Sequence, residues 1–209
     1  MLLPYPSLPV VASIEPIVAE QEGTLPHERG HLAATRLLQL LLRCPIQVAH
    51  TALGKPFLPQ EPFALSIAHS THYIAVWLAP PSFSVGIDIE EPREQLLSVA
   101  PRIMNRDELT HFHSLNNHSD ALNYALEVWC AKEAAYKALP YPSASFRNDY
   151  GFHNDAVLYS PENLSLPVSF FRHPNYLLAS VALCSCPSMP LSKAHTSATD
   201  GTTYPTPHE

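Results

Sequence analysis

The apolar positions of residues 28–43, ERGHLAATRLLQLLLR, recur at helical spacing, with Ala34, Leu37, Leu38, Leu41 and Leu42 on one side. The spacing predicts a first helix that carries Arg29, Arg36 and Arg43 on its opposite face, where Leu40 intrudes. The period then changes. FALSIAHS (63–70) reads as a short strand ending in polar residues, and YIAVWLA (73–79) as a strong strand. Pro80-Pro81 turns the chain into SVGIDIE (84–90). Side chains alternate across a strand, so Val85, Ile87 and Ile89 face a core while Gly86, Asp88 and Glu90 share the other side. Residues 101–113 read as helical. A long helix is predicted from the N-cap pair Ser119-Asp120 to Leu139, stopped by Pro140. Short strand-like pieces follow around AVLYS, VSFF and YLLASVALC. The expected fold class is therefore α+β.

Composition sets bounds on this picture. The 209 residues are enough for one domain or two small lobes, and 46% hydrophobic against 15% charged residues indicates a folded chain. No apolar run approaches the roughly 20 residues of a membrane span, and the proline-broken start lacks the basic region of a signal peptide. A net charge of −7 argues against a general nucleic-acid binder. The four cysteines, Cys44, Cys130, Cys184 and Cys186, show no disulfide framework, which points to a reduced, cytoplasmic protein. Twelve histidines raise zinc, but neither His-Glu-x-x-His nor Cys-x-x-Cys is present. From Pro187 onward turn and breaker residues predict a disordered tail.

The long helix carries the candidate chemistry. Its apolar stripe follows Leu122, Leu126, Trp129 and Tyr136, and the position missing between the last two is Glu133. A buried carboxylate is expensive unless it is paired or bound to a metal. Lys137, one turn on, is a sufficient partner by itself. Taken with Asp88-x-Glu90, however, the three carboxylates form a set suited to a hard divalent cation handling phosphate, with Lys132 and Lys137 for the remaining negative charge. Trp129 and Tyr136 are read as core.

GIDIE (86–90), followed some forty residues later by WCAKEAAYK (129–137), resembles the two signature motifs of the 4'-phosphopantetheinyl transferases at every defining position. GKPFLP (54–59) resembles the family's Gly-Lys-Pro loop and SIAHS (66–70) its Asn-x-Ser-His-Ser strand end, with Ser66 in place of Asn and Ala68 in place of Ser. The length resembles the two-lobed, surfactin-synthetase-activating class. The resemblance implies a pseudo-dimer of two similar α+β lobes, residues 1–100 and 101–186 before the tail at 187–209, with the active site in the cleft between them. It implies Mg²⁺ held by Asp88, Glu90 and Glu133, coenzyme A as co-substrate, and transfer of phosphopantetheine to a serine of an apo acyl or peptidyl carrier protein, releasing 3',5'-ADP. Glu133, or a metal-bound water that it orients, would take the serine proton. Lys132 would neutralise the pyrophosphate and Lys137 would support it. Arg29, Arg36, Lys55, His69 and Ser70 would contact the coenzyme A phosphates. Neither nucleic acid nor membrane is an expected partner, and a monomer is expected. A non-catalytic coenzyme A or carrier-protein binding relative of the same fold is the alternative, and a metal-dependent nucleotide pyrophosphatase another.

Overall fold

A computed structural model describes residues 11–16, 26–139 and 145–184. The predicted tail, Cys186 and Pro140 lie outside the described residues. Helix α1 (Pro26–Leu42) buries Ala34, Leu37 and Leu38, the core of the predicted stripe, and leaves Leu40 exposed. It lies on a three-stranded antiparallel sheet, β1 (Val11–Pro16), β5 (Tyr73–Ala79) and β4 (Ala64–His69), in which β5 is central. Between α1 and β4 the chain forms a short hairpin, β2 (Ala49–His50) with β3 (Pro56–Phe57), closed by Gly54 at a φ of 79°. The GKPFLP loop is one arm of that hairpin. Its turn requires the left-handed conformation that glycine adopts without penalty.

The second half repeats the same order. Strand β6 (Phe83–Glu90), helix α4 (His118–Ala138), β10 (Ser169–His173) and β11 (Tyr176–Cys184) build an antiparallel sheet β10-β11-β6. In both sheets the last strand in sequence is central and the first and second flank it. Strand β6, assigned above to the first lobe, pairs with β11 in the second sheet: Asp88 stands opposite Ala179 and Gly86 opposite Val181.

Four layers result, because each sheet has one face for a helix and one for the other sheet. Val85, Ile87 and Ile89 of β6 pack with Ile14, Trp77, Tyr176 and Leu178 in a core between the sheets. The other side of β6 meets α4. A Cβ on Gly86 would collide with the Ala134 carbonyl and the Ala138 backbone nitrogen, so the room beside Asp88 is filled by helix backbone. The buried face of α4 accordingly runs through Ala131, Ala134, Ala135 and Ala138. Leu122, Trp129 and Tyr136, predicted to form the buried stripe, are only half-buried. Small residues win here because they permit close helix–sheet approach.

The segment 101–113 is two helices, not one: α2 (Gln95–Ile103) and α3 (Arg106–Ser114). Met104 is extended, and Asn105 starts α3 with a complete capping box, its side chain accepting from Glu108 N at 2.9 Å while Glu108 accepts from Asn105 N at 2.7 Å. Helix α4 is capped two residues earlier than predicted, by Asn117, whose side chain accepts from Ser119 N at 2.8 Å. A meander of β7 (Tyr150–His153), β8 (Ala156–Tyr159) and β9 (Leu164–Pro167) closes the far side of α4, burying Tyr150, Val157 and Leu166.

Candidate active site

A cleft of about 570 Å³ opens between the two halves. Gly30, His31 and Ala34 of α1 and the 48–56 hairpin form one wall, β4 the floor, and Glu133, Tyr136, Lys137 and Leu139 of α4 the other wall. Glu133 comes one helical step before Ala134 and Tyr136 one step after Ala135, so both are rotated away from the alanine face and reach the rim.

At the α4 wall the two motifs meet. Lys137 Nζ donates to Asp88 Oδ1 at 2.6 Å. Burial alone would lower the Lys137 pKa, but the Asp88 and Glu133 carboxylates outweigh it and raise the ammonium above its ordinary value. Asp88 Oδ2 is buried and accepts no hydrogen bond. The Cys130 thiol beneath it points to the Leu177 carbonyl oxygen at 4.0 Å and is pushed well up by burial and then by Asp88 and Glu90. Glu90 accepts from Arg93 Nη2 at 2.7 Å and from Glu91 N at 3.0 Å. Glu133 has its pKa raised to about 7, first by burial and then by the Asp88 and Glu90 charges, against the pull of Lys137.

In donor chemistry, though not in spacing, these oxygen ligands suit a hard cation. An orphaned buried carboxylate oxygen and a carboxyl made reluctant to ionise by two neighbouring carboxylates both call for positive charge. Among the described residues no three His, Cys, Asp or Glu side chains stand in a metal-holding arrangement. Lys137 and Arg93 balance Asp88 and Glu90 instead.

The other predicted residues divide. Lys55 lines the cleft, donates to Ser84 Oγ at 3.0 Å, and has its pKa lowered by burial. His69 lines it too, its ring resting against Gly30, where a Cβ would come within 2.8 Å of the imidazole. Ser70 is not among the lining residues: it forms the β4–β5 turn, accepting from Tyr73 N at 3.3 Å. Arg29 and Arg36 also fall outside the lining, because α1 turns Gly30, His31 and Ala34 inward.

Lys132 requires a correction. Its ammonium is fully buried on the far side of α4 and donates to Glu108 Oε2 at 2.6 Å, the Ile103 carbonyl at 2.8 Å and the Phe146 carbonyl at 3.0 Å. All three N–H donors are used, so none is left for a pyrophosphate in the cleft. Glu108 completes the cluster by accepting from Phe152 N at 2.6 Å. The capping pattern Asn105-x-x-Glu108 was the signal in the sequence for this residue. Tyr136, read as core, lines the cleft and packs edge-on to Phe146 at 5.6 Å. Ser66 and Ala68 find simple uses: Ser66 Oγ accepts from Ile87 N at 3.0 Å, tying β4 to β6, and Ala68 is buried in the inter-sheet core.

Residues 84–172, which carry both motifs, match the family model of the 4'-phosphopantetheinyl transferase superfamily. A Haemophilus influenzae protein named "Putative 4'-phosphopantetheinyl transferase" is 28% identical over 138 residues, 63% of this chain. The alignment spans 57% of that relative's length, a little over half. Two solved structures are similar in part. One is a holo-(acyl-carrier-protein) synthase from Bacillus anthracis in complex with CoA (3',5'-ADP), with TM-score 0.41, 24% identity, and coverage of 47% of this chain and 93% of that one. The other is a holo-[acyl-carrier-protein] synthase from Neisseria meningitidis, with TM-score 0.40, 23% identity, and coverage of 47% and 95%. No described helix is long and apolar enough to cross a membrane.

Proposed function

We propose that the chain is a 4'-phosphopantetheinyl transferase of the two-lobed class, moving phosphopantetheine from coenzyme A to a serine of an apo carrier protein and releasing 3',5'-ADP. The observation that carries this reading is the 2.6 Å Lys137–Asp88 contact, which joins the two family motifs beside Glu133 at the wall of one cleft. The division between lobes is best put at the Pro80-Pro81 turn, since β6 pairs with β11.

Attack on a pyrophosphate requires alignment and charge neutralisation more than an internal nucleophile. The carrier serine Oγ bonds to the phosphorus nearer pantetheine, and the bond from that phosphorus to the oxygen of the departing nucleotide breaks. Glu133 accepts the serine proton, and a pKa near 7 suits a base working at neutral pH. Lys137 lies one turn on, where its ammonium can follow the developing charge, and Lys55 meets phosphate from the opposite wall. Asp88, Glu90 and Glu133 would hold Mg²⁺, which when bound supplies charge neutralisation at the pyrophosphate. Lys132 supports α4 from behind and touches no substrate.

The test is mass spectrometry of an apo carrier protein after incubation with coenzyme A, Mg²⁺ and this protein. A gain of one phosphopantetheine is the expected result. Hydrolysed coenzyme A with unmodified carrier would establish a pyrophosphatase, and an unchanged mixture a binding relative.

A further inference from the structure

Ser84, Gly86 and Asp88 alternate along β6 on the side that faces α4, and each meets that helix near its C-terminal end. Asp88 accepts from Lys137, Gly86 lies against the Ala134 carbonyl, and Ser84 Oγ donates to the Ala138 carbonyl at 2.5 Å. The last four carbonyls of a helix have no partner within it, so Ser84 satisfies a group that α4 cannot. The same hydroxyl makes a second bond. From the opposite wall of the cleft, Lys55 Nζ of the 48–56 hairpin donates to Ser84 Oγ at 3.0 Å. The direction of this relay is forced. An ammonium can only donate and a carbonyl can only accept, so the hydroxyl takes an N–H from Lys55 and gives its own proton to Ala138. Each bond strengthens the other, because a hydroxyl polarised by a cation is a better donor. A positive charge near the C-terminus of α4 is favourable in itself.

We infer that Ser84 is a positioning residue that couples the two walls of the cleft, by holding Lys55 and the Ala138 carbonyl on one oxygen. Ser84 is not a lining residue, whereas Lys55 lines one wall and Tyr136, Lys137 and Leu139 line the other. The backbone of Lys55 is fixed within its hairpin: its nitrogen donates to Thr51 Oγ1 at 3.1 Å and its carbonyl accepts from Thr51 N at 2.9 Å. Anchoring the Lys55 side chain therefore anchors the hairpin. Ala138 directly follows Lys137, so the same oxygen also holds the turn of α4 that carries Tyr136 and Lys137. Ser84 stands outside both sequence motifs, and the strand pattern marks it only as a polar position facing the helix. The coupling itself needs no ligand. Its effect on turnover rests on the reading of this cleft as the coenzyme A site.

Amide hydrogen exchange of the protein alone, followed by NMR, tests the coupling first. Ser84→Ala and Lys55→Met should each speed exchange at Thr51 and Gly54 in the hairpin by about five- to tenfold, the worth of one hydrogen bond. The double variant should be no faster than either single one, and Val76 in the central strand β5 should exchange as in the wild type. Ser84→Thr keeps a hydroxyl and should restore slow exchange. Hairpin amides unmoved in Ser84→Ala would show that Ser84 serves α4 alone and would overturn the inference, as would accelerations that multiply in the double variant. Carrier-loading kinetics come second. Ser84→Ala should raise the KM for coenzyme A by a similar factor, Ser84→Thr should bring it back, and the double variant should match Lys55→Met. An unchanged KM in Ser84→Ala would overturn the positioning role. The expected exchange pattern with no carrier loading by any of these proteins would support the coupling and sink the transferase reading.

Discussion

Gly86 on β6 sits directly against the Ala134 carbonyl of α4, closer than any side chain would allow. That contact sets the depth at which the helix lies on the sheet. It is also what brings Lys137 to 2.6 Å from Asp88, two residues along the strand. Gly86→Ala must therefore push α4 outward. Overpacking of this kind costs about 1–3 kcal/mol, and the thermal midpoint should fall accordingly. Transfer activity should fall further than stability, because the Asp88–Lys137 contact opens. Unchanged activity in a folded Gly86→Ala protein would show that the site does not depend on this spacing.

Asp88→Asn removes the charge that holds Lys137. Although three clustered carboxylates repel one another, the pairing at 2.6 Å means that losing Asp88 leaves a part-buried ammonium short of its partner. The variant should be less stable by about 1–3 kcal/mol, and its transfer activity should be lost even at saturating Mg²⁺. Denaturant unfolding and the carrier-loading assay check the two halves separately.

Folding raises the Glu133 pKa from 4.5 to about 7. Between these values the folded protein keeps a proton that the unfolded chain has released. Stability from this group is thus fully present below pH 4.5 and is lost as pH rises through about 7. Glu133→Gln cannot ionise, so its thermal midpoint should exceed that of the wild type above pH 7, with the difference shrinking toward pH 4.5. Its transfer rate should drop by about 10²–10⁴-fold. A full rate restored by high Mg²⁺ would show that Glu133 is a ligand and not the base.

Lys132→Met leaves Glu108 buried with its backbone partners but without its ammonium. Breaking one side of such a pair costs about 3–5 kcal/mol. Adding Glu108→Gln should recover part of that stability and, with it, activity. If stability returns while the rate stays low, Lys132 takes part in the chemistry after all.

Lys55→Ala tests the opposite wall. Dephospho-coenzyme A should bind more weakly than coenzyme A to the wild type, and this preference should shrink in the variant by the worth of a charge-assisted contact, about 1.5–3 kcal/mol. Equal discrimination in both proteins would reduce Lys55 to its hydrogen bond with Ser84.

Local pattern was enough to read most elements. The 73–79 strand, β6 and the start and end of α1 follow from periodicity, because which face is apolar is written in alternation or in helical spacing. Glu133 was legible because it interrupts an apolar helical stripe, and Asp88 and Glu90 because they share the polar side of an otherwise apolar strand. Which helix face is buried deepest was not legible. Ala131, Ala134, Ala135 and Ala138 carry little hydrophobic signal, and their burial depends on Gly86 arriving from another part of the chain. The fate of Lys132 was likewise decided in three dimensions. It stands beside Glu133 in sequence, but the 100° between successive helical positions sends it to Glu108 and the Phe146 carbonyl on the far side. His31 lines the cleft and Arg29 does not by the same rotation, and His50 meets it only because a hairpin folds back beside α1. A sequence specifies which side chains share a face of their own element; what that face meets is set by the packing of elements distant in the chain.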